Sequence, residues 1–268
     1  MPQPARFSCA LITGASSGLG EEFALQLAPR VDTLVLVARR EPLLQQLGER
    51  IRALHPAVEV LIHTADLTDA EERDDLVENL ILRHRLPDLL VNNAGLGDYG
   101  EFVTADWVKL RAMLSLNIEA LTHLTHALLP AMIRARRGAI VNVSSLASLL
   151  PLPDFAVYAA TKAYVTSFSE ALRIELRDHH IPVLAVCPGP VQTEFGEVAR
   201  RHGEAREIPG HRCFYVPKQQ VVTEALTALV QNRARVYPGL KTAAAALLIA
   251  ALPIVAIRLV MGLRPRKC

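Results

Sequence analysis

Tyr158-Ala159-Ala160-Thr161-Lys162 sets a phenol and a primary amine four positions apart. On a helix, positions i and i+4 share a face, so the two groups can serve one site. An ammonium beside a phenol favours the phenolate and brings the tyrosine toward the working range of a general acid or base. The string alone means little, because Tyr237-Pro238-Gly239-Leu240-Lys241 matches it too. Pro-Gly does not fit a helix interior, so that second pair shares no face and is set aside. Ser144 and Ser145 close an apolar run, and Ser145 stands 13 residues before Tyr158. A hydroxyl there can hold a substrate oxygen while the tyrosine gives up its proton. An isolated serine reads more naturally as a cap or turn residue. Its link to the Tyr158/Lys162 helix favours the chemical reading.

A second cluster suits a dinucleotide. Thr13-Gly14-Ala15-Ser16-Ser17-Gly18-Leu19-Gly20 follows an apolar run and precedes a helical pattern. Three glycines at such a junction let the backbone turn tightly and approach a pyrophosphate, and the helix start supplies free N–H groups. The spacing is GxxxGxG rather than GxGxxG, and glycines also simply make turns, so the context carries the reading. The next apolar run ends in Val37-Ala38-Arg39-Arg40, with no acid from 34 to 40. A carboxylate at that strand end suits the free ribose of NAD, whereas a guanidinium binds a 2′-phosphate. NADP(H) is therefore expected, with Arg39 as the main contact and Arg40 as helper. The alternative is a solvated arginine pair at a helix start.

Behind these motifs, short apolar runs at 7–13, 33–38, 58–63, 89–91, 139–143, 183–186 and 236–237 alternate with helical patterns. The helical stretches are 21–28, 41–54, 70–83, 105–133, 155–178 and 219–230. Near-continuous apolar runs predict strands buried on both faces, and strict alternation predicts a parallel sheet with helices on both sides. Residues 1–239 read as one α/β domain and 240–268 as an extension. The segment 194–217 shows no period and reads as a lid or as a surface loop. Sixteen residues from Thr242 to Ile257 carry no charge, a little short of the ~20 a spanning helix needs. Arg258, Arg264, Arg266 and Lys267 follow them. Three readings stay open for this tail: a membrane surface, a subunit interface or channel wall, and a true span. Cys268 ends the sequence and is not in a prenylation box.

Of the 268 residues, 51% are hydrophobic and 21% charged, with a net charge of +2. That excludes a disordered chain and leaves no electrostatic footprint for nucleic acid. Cys9, Cys187, Cys213 and Cys268 show neither a disulfide framework nor a CxxC pair, and a reducing, cytoplasmic compartment fits. The 7–12 run leads into Thr13-Gly14 without a cleavage site, so no secretory signal is expected. The histidines have no ligand spacing, and no metal is expected.

TGASSGLG, Asn92-Asn93-Ala94-Gly95, the serine, the Tyr/Lys pair and Cys187-Pro188-Gly189-Pro190-Val191-Gln192-Thr193 occur together in this order. Over residues 7–239 the chain resembles the short-chain dehydrogenase/reductase family in its single-domain form. The resemblance implies a Rossmann fold, a doubly wound parallel sheet of about seven strands. It implies Tyr158 as general acid/base, Lys162 lowering its pKa and binding the nicotinamide ribose, and Ser145 polarising the carbonyl. Asn117 resembles the family's helix asparagine that holds a relay water. Asn93, Ala94 and Gly95 resemble the segment beside the adenosine half, and Asp66-Leu67 the pair at the adenine. Thr193, after Pro188-Gly189, resembles the residue contacting the carboxamide, and Pro188, Gly189 and Val191 are expected to bind the cofactor with it. Gly14, Ser16, Ser17, Gly18, Leu19 and Gly20 would line the pyrophosphate turn. The expected activity is NADPH-dependent reduction of a ketone or aldehyde on an apolar, lipid-like substrate. An NADP-dependent alcohol or steroid-type dehydrogenase working oxidatively is the alternative, and a non-catalytic NADPH sensor or scaffold a further one. A homodimer or homotetramer through 105–133 and 155–178 is also implied.

Overall fold

The computed structural model describes residues 6–201 and 215–263. Seven strands run β1 (Phe7–Thr13), β2 (Val31–Ala38), β3 (Glu59–Thr64), β4 (Leu89–Asn92), β5 (Ala139–Val143), β6 (Val183–Val186) and β7 (Arg235–Val236). All pair in parallel, in the order β3-β2-β1-β4-β5-β6-β7. This is the doubly wound Rossmann sheet, and its strand order reverses beside β1. Ligands bind at that switch point, outside the carboxyl ends of the strands. The central strands are buried on both faces, β4 and β5 along their whole length.

Helices α1 (Gly18–Leu27), α2 (Glu41–Leu54) and α8 (Lys218–Val230) cover one face of the sheet. Helices α3 (Ala70–Leu82), α5 (Leu121–Ala135) and α6 (Ala156–Glu175) cover the other. Helix α2 shows why: Leu44, Leu47 and Ile51 form its buried stripe, while its charged residues face water. Burying each such side chain contributes about 1.5–3 kcal/mol.

The helix expected at 105–133 is divided. Helix α4 (Trp107–Leu114) starts at Asp106, whose side chain caps it by accepting from the Val108 N–H. A π-helical turn (Ser115–Ala120) then separates α4 from α5. The segment 194–217 is also not wholly irregular. A short helix, α7 (Phe195–Ala199), lies in it, and Val191 bridges to Val216. The remainder of that lid reading, 202–214, lies outside the described residues. After residue 239 the apolar tail forms α9 (Leu240–Ala251) and α10 (Ile254–Gly262), bent by 113° at their junction. No helix among the described residues is long and apolar enough to cross a membrane.

Candidate active site

Helix α6 delivers the phenol and the amine, and the end of β5 delivers the serine. All three line one cavity of about 690 Å³ above the switch point. Lys162 Nζ donates to the Val143 carbonyl at 2.9 Å and stands 5.8 Å from the centre of the Tyr158 ring. Burial pushes the Tyr158 phenol up to about 12, although a hydrogen bond with the Ser145 side chain opposes the rise. Burial also pulls the Lys162 amine down to about 8. The protein's own groups thus hold a protonated phenol beside a cation that titrates unusually early. The lowering of Tyr158 by Lys162 expected from spacing is not seen: burial raises the phenol and Ser145 is what opposes it.

The two serines divide the work. Ser145 faces the cavity and accepts from the Ala147 N–H at 3.1 Å. Ser144 is buried, donates to the Lys162 carbonyl at 2.8 Å and lies 2.7 Å from Thr166 Oγ1. Ser144 therefore fastens α6 to the sheet.

Asn117 sits within the π-helical turn and is buried behind the wall. Its amide donates to the Leu96 carbonyl and to Thr161 Oγ1, and its oxygen accepts from the Leu96 N–H. Gly95 packs between Asn117 and Lys162: a Cβ there would stand 3.4 Å from Lys162 Nζ. Asn117 thereby positions the loop after β4 against α6.

The phosphate turn is built as its glycines require. Gly14 has φ +65° and Gly18 φ +62°, values that favour glycine. Gly20 is packed against the turn itself, since a Cβ there would lie 2.1 Å from the Gly14 carbonyl oxygen. Asn93 donates through its amide to the carbonyls of Thr13 and Gly14, at 2.9 and 3.2 Å. The N–H groups of Asn93 and Ala94 both donate to Thr13 Oγ1. The Asn93 side chain therefore braces the turn, while the backbone from 93 to 95 lines the cavity. Thr13 is a site-building residue that sequence reasoning missed; a hydroxyl closing an apolar strand was the available signal.

Arg40, rather than Arg39, reaches the turn. Its guanidinium donates to Ser16 Oγ and Ser17 Oγ, and its Nη1 lies 2.9 Å from Glu194 Oε2. Arg39 lies 3.6 Å from Asp66. Burial alone would raise the Asp66 carboxyl, but hydrogen bonds from Thr68 and the Arg39 charge hold it below the usual range. Both arginines line the cavity, as do Gly14, Ser16, Ser17, Gly18, Leu19, Asp66, Leu67, Pro188, Gly189, Val191 and Thr193. Gly20 and Asn117 support this wall from behind. A dinucleotide fits the set: a glycine turn without room for side chains, a helix start, and two cations at one end.

The far end of the cavity is apolar and aromatic. Leu146, Leu150, Leu152 and Phe155 line it. Phe155 and Phe195 flank Tyr158, with ring centres 5.6 and 5.4 Å away. Helix α7 brings Phe195 into place, and Asp98 secures the segment after it by pairing with Arg201 and Lys109 at 2.6 and 3.2 Å. Phe195 and this ionic clamp carry no sequence motif. A separate cavity of about 800 Å³ near the end of α6 contains none of the expected residues. Among the described residues no cluster of His, Cys, Asp and Glu could hold a metal ion.

The short chain dehydrogenase family model matches residues 8–203. Sulfoacetaldehyde reductase 2 of Chromohalobacter salexigens is 38% identical over 69% of this chain and 73% of its own. The 11-beta-hydroxysteroid dehydrogenase of Pinus massoniana is 38% identical over 77% of this chain and 58% of its own. A short-chain dehydrogenase from Sphingobium yanoikuyae, solved in complex with NADPH, superposes with a TM-score of 0.79. It is 30% identical, with 97% of each chain covered. The chain belongs to the short-chain dehydrogenase family of nicotinamide-dependent oxidoreductases.

Proposed function

We propose that the protein is an NADPH-dependent carbonyl reductase that converts an apolar ketone or aldehyde to its alcohol, with Tyr158 as general acid. One observation carries this reading: a single cavity joins the glycine turn and two arginines at one end to Ser145, Tyr158 and an apolar wall at the other. NADPH supplies the hydride. Ser145 and Tyr158 hold the carbonyl oxygen, and Tyr158 gives it a proton from its hydroxyl. Lys162 carries positive charge next to the phenol and binds the nicotinamide ribose. Asn117 keeps the backbone beside Lys162 in place, at the start of a proton path to solvent. Apolar and aromatic side chains beside Tyr158 leave little for water to hydrogen-bond near the reacting atoms.

Preference for the phosphorylated dinucleotide rests on Arg39 and Arg40, with no carboxylate at the end of β2 to repel a 2′-phosphate. The Sphingobium relative's complex with NADPH supports the same choice. The oxidative direction uses the same groups, and the hydroxysteroid dehydrogenase among the relatives favours that second reading. Exposed Trp107 and Val108 on α4 and Ile174 on α6 support association of copies through these helices as a homodimer or homotetramer.

The test is NADPH and NADH consumption against a panel of carbonyl compounds, for wild type, Arg39→Ala and Arg40→Ala. Hydrogen bonds to a charged group contribute about 1.5–3 kcal/mol, so each loss should raise the KM for NADPH roughly 10- to 100-fold. The KM for NADH should move little. An unchanged preference in both variants removes the arginines from this role, and wild-type binding of NADPH with no turnover of any carbonyl overturns the catalytic reading.

A further inference from the structure

Helices α9 and α10 bury almost none of their apolar surface. In α9 only Thr242 and Ala246 are buried, and in α10 only Ile257. Leu247 is 77% exposed, Leu248 64%, Val255 61% and Leu259 65%. Leu240, Ile254, Val260 and Leu263 extend the same apolar surface. Scattered exposed leucines are ordinary, but a continuous patch on two consecutive helices marks an interaction surface.

Charge identifies the occupant. No Asp or Glu follows Glu224, while Arg258 stands on α10 and Arg264, Arg266 and Lys267 follow it in sequence. An apolar segment whose own sequence carries cations and no carboxylate complements an anionic lipid leaflet. It complements a second copy poorly, because an isologous contact would bring the same cations to both sides. Length and shape favour lying on the leaflet over crossing it. At 1.5 Å per residue α9 extends about 18 Å and α10 about 13 Å, each well short of a core of about 30 Å. The 113° bend keeps the two from combining into one straight span.

The patch also adjoins the cavity. The buried side of α9 packs on the turn Leu146–Leu149 that follows Ser145. Leu146 and Ala147 of that turn line the cavity. We propose that α9 and α10 form a docking element that lies in an anionic membrane surface and sets the cavity's apolar end beside it, so that the ketone is drawn from the bilayer. The substrate half rests on the carbonyl-reductase reading; the docking half does not.

The test uses the full chain and Leu248→Glu/Leu259→Glu, a pair of exposed positions outside the cavity. Wild type should sediment with vesicles of phosphatidylglycerol and phosphatidylcholine, and less with phosphatidylcholine alone or in high salt. The double variant should lose at least tenfold in bound fraction. With NADPH it should keep the wild-type rate on a short water-soluble ketone and lose about tenfold on a long-chain methyl ketone carried in vesicles. Equal vesicle binding by both proteins, or binding by neither, overturns the docking element. A change in sedimenting mass of the variant without a change in vesicle binding assigns the patch to a second copy and overturns it equally. An equal loss on both ketones shows a merely structural tail. Normal vesicle binding by a wild type that reduces no ketone overturns the substrate half and leaves docking standing.

Discussion

Tyr158→Phe should lower kcat for ketone reduction about a thousandfold, within the range general acid catalysis contributes, while the Kd for NADPH changes less than twofold. The ring stays, so its packing between Phe155 and Phe195 survives. On the proposed reading, the lost hydroxyl is the one that protonates the product oxygen. Stopped-flow turnover with NADPH titration by fluorescence checks both halves, and retained turnover defeats the assignment. The raised phenol also fixes the sign of the pH dependence. Burial keeps Tyr158 protonated to about 12 without a dinucleotide, so reduction should be flat through neutral pH. Oxidation of an alcohol needs the phenolate, and its rate should climb about tenfold per pH unit on the acid side of the phenol pKa in the ternary complex.

Gly20→Val is the second large effect. A Cβ at this position would lie 2.1 Å from the Gly14 oxygen and 2.6 Å from the Asn93 amide, and two of its neighbours are backbone atoms that cannot swing aside. The helix start must move off the turn, and overpacking of this kind typically costs about 1–3 kcal/mol or more. The turn that moves is the one that would hold the pyrophosphate. The expected result is a lowered Tm together with a loss of at least 100-fold in NADPH affinity, roughly 2.8 kcal/mol by the usual arithmetic of tenfold per 1.4 kcal/mol. Circular dichroism melting and calorimetric titration separate the two effects. Wild-type affinity in this variant would show that the turn is not the dinucleotide's seat.

The sheet was legible because its strands are apolar on both faces and end at small residues. β1, β5 and β6 match the apolar runs residue for residue. β2 begins at Val31 rather than 33, since exposed Asp32 disguises its first turn of pleat as a loop. Helix α1 begins at Gly18, inside the glycine turn, because no propensity argument starts a helix on glycine. α7 escaped notice because five residues are too few to show a helical period. At the site, the residues that the motifs assigned to catalysis or cofactor binding all line one cavity except Gly20 and Asn117, which support it. The contacts that sequence did not disclose are long-range and without pattern. Asp98 and Arg201 meet across 103 positions, and Asn92 donates to Asn142, which donates to Ser169. Such pairs are specified by the folded topology, and no local window contains both partners.

The wide turn at Ser115–Ala120 has a consequence for how the molecule could be switched off. A π turn absorbs a surplus residue that in plain α-winding would rotate everything beyond it by about 100°. Deleting Ile118 would let the coil close into ordinary α-helical winding, at no cost to the backbone ladder, and swing the Asn117 amide away from Leu96. We expect a folded protein with near-normal melting and crippled turnover, assayed by calorimetry beside NADPH consumption. The smallest lesion to this enzyme is thus a missing peptide unit, and it removes no atom that the ligand would touch.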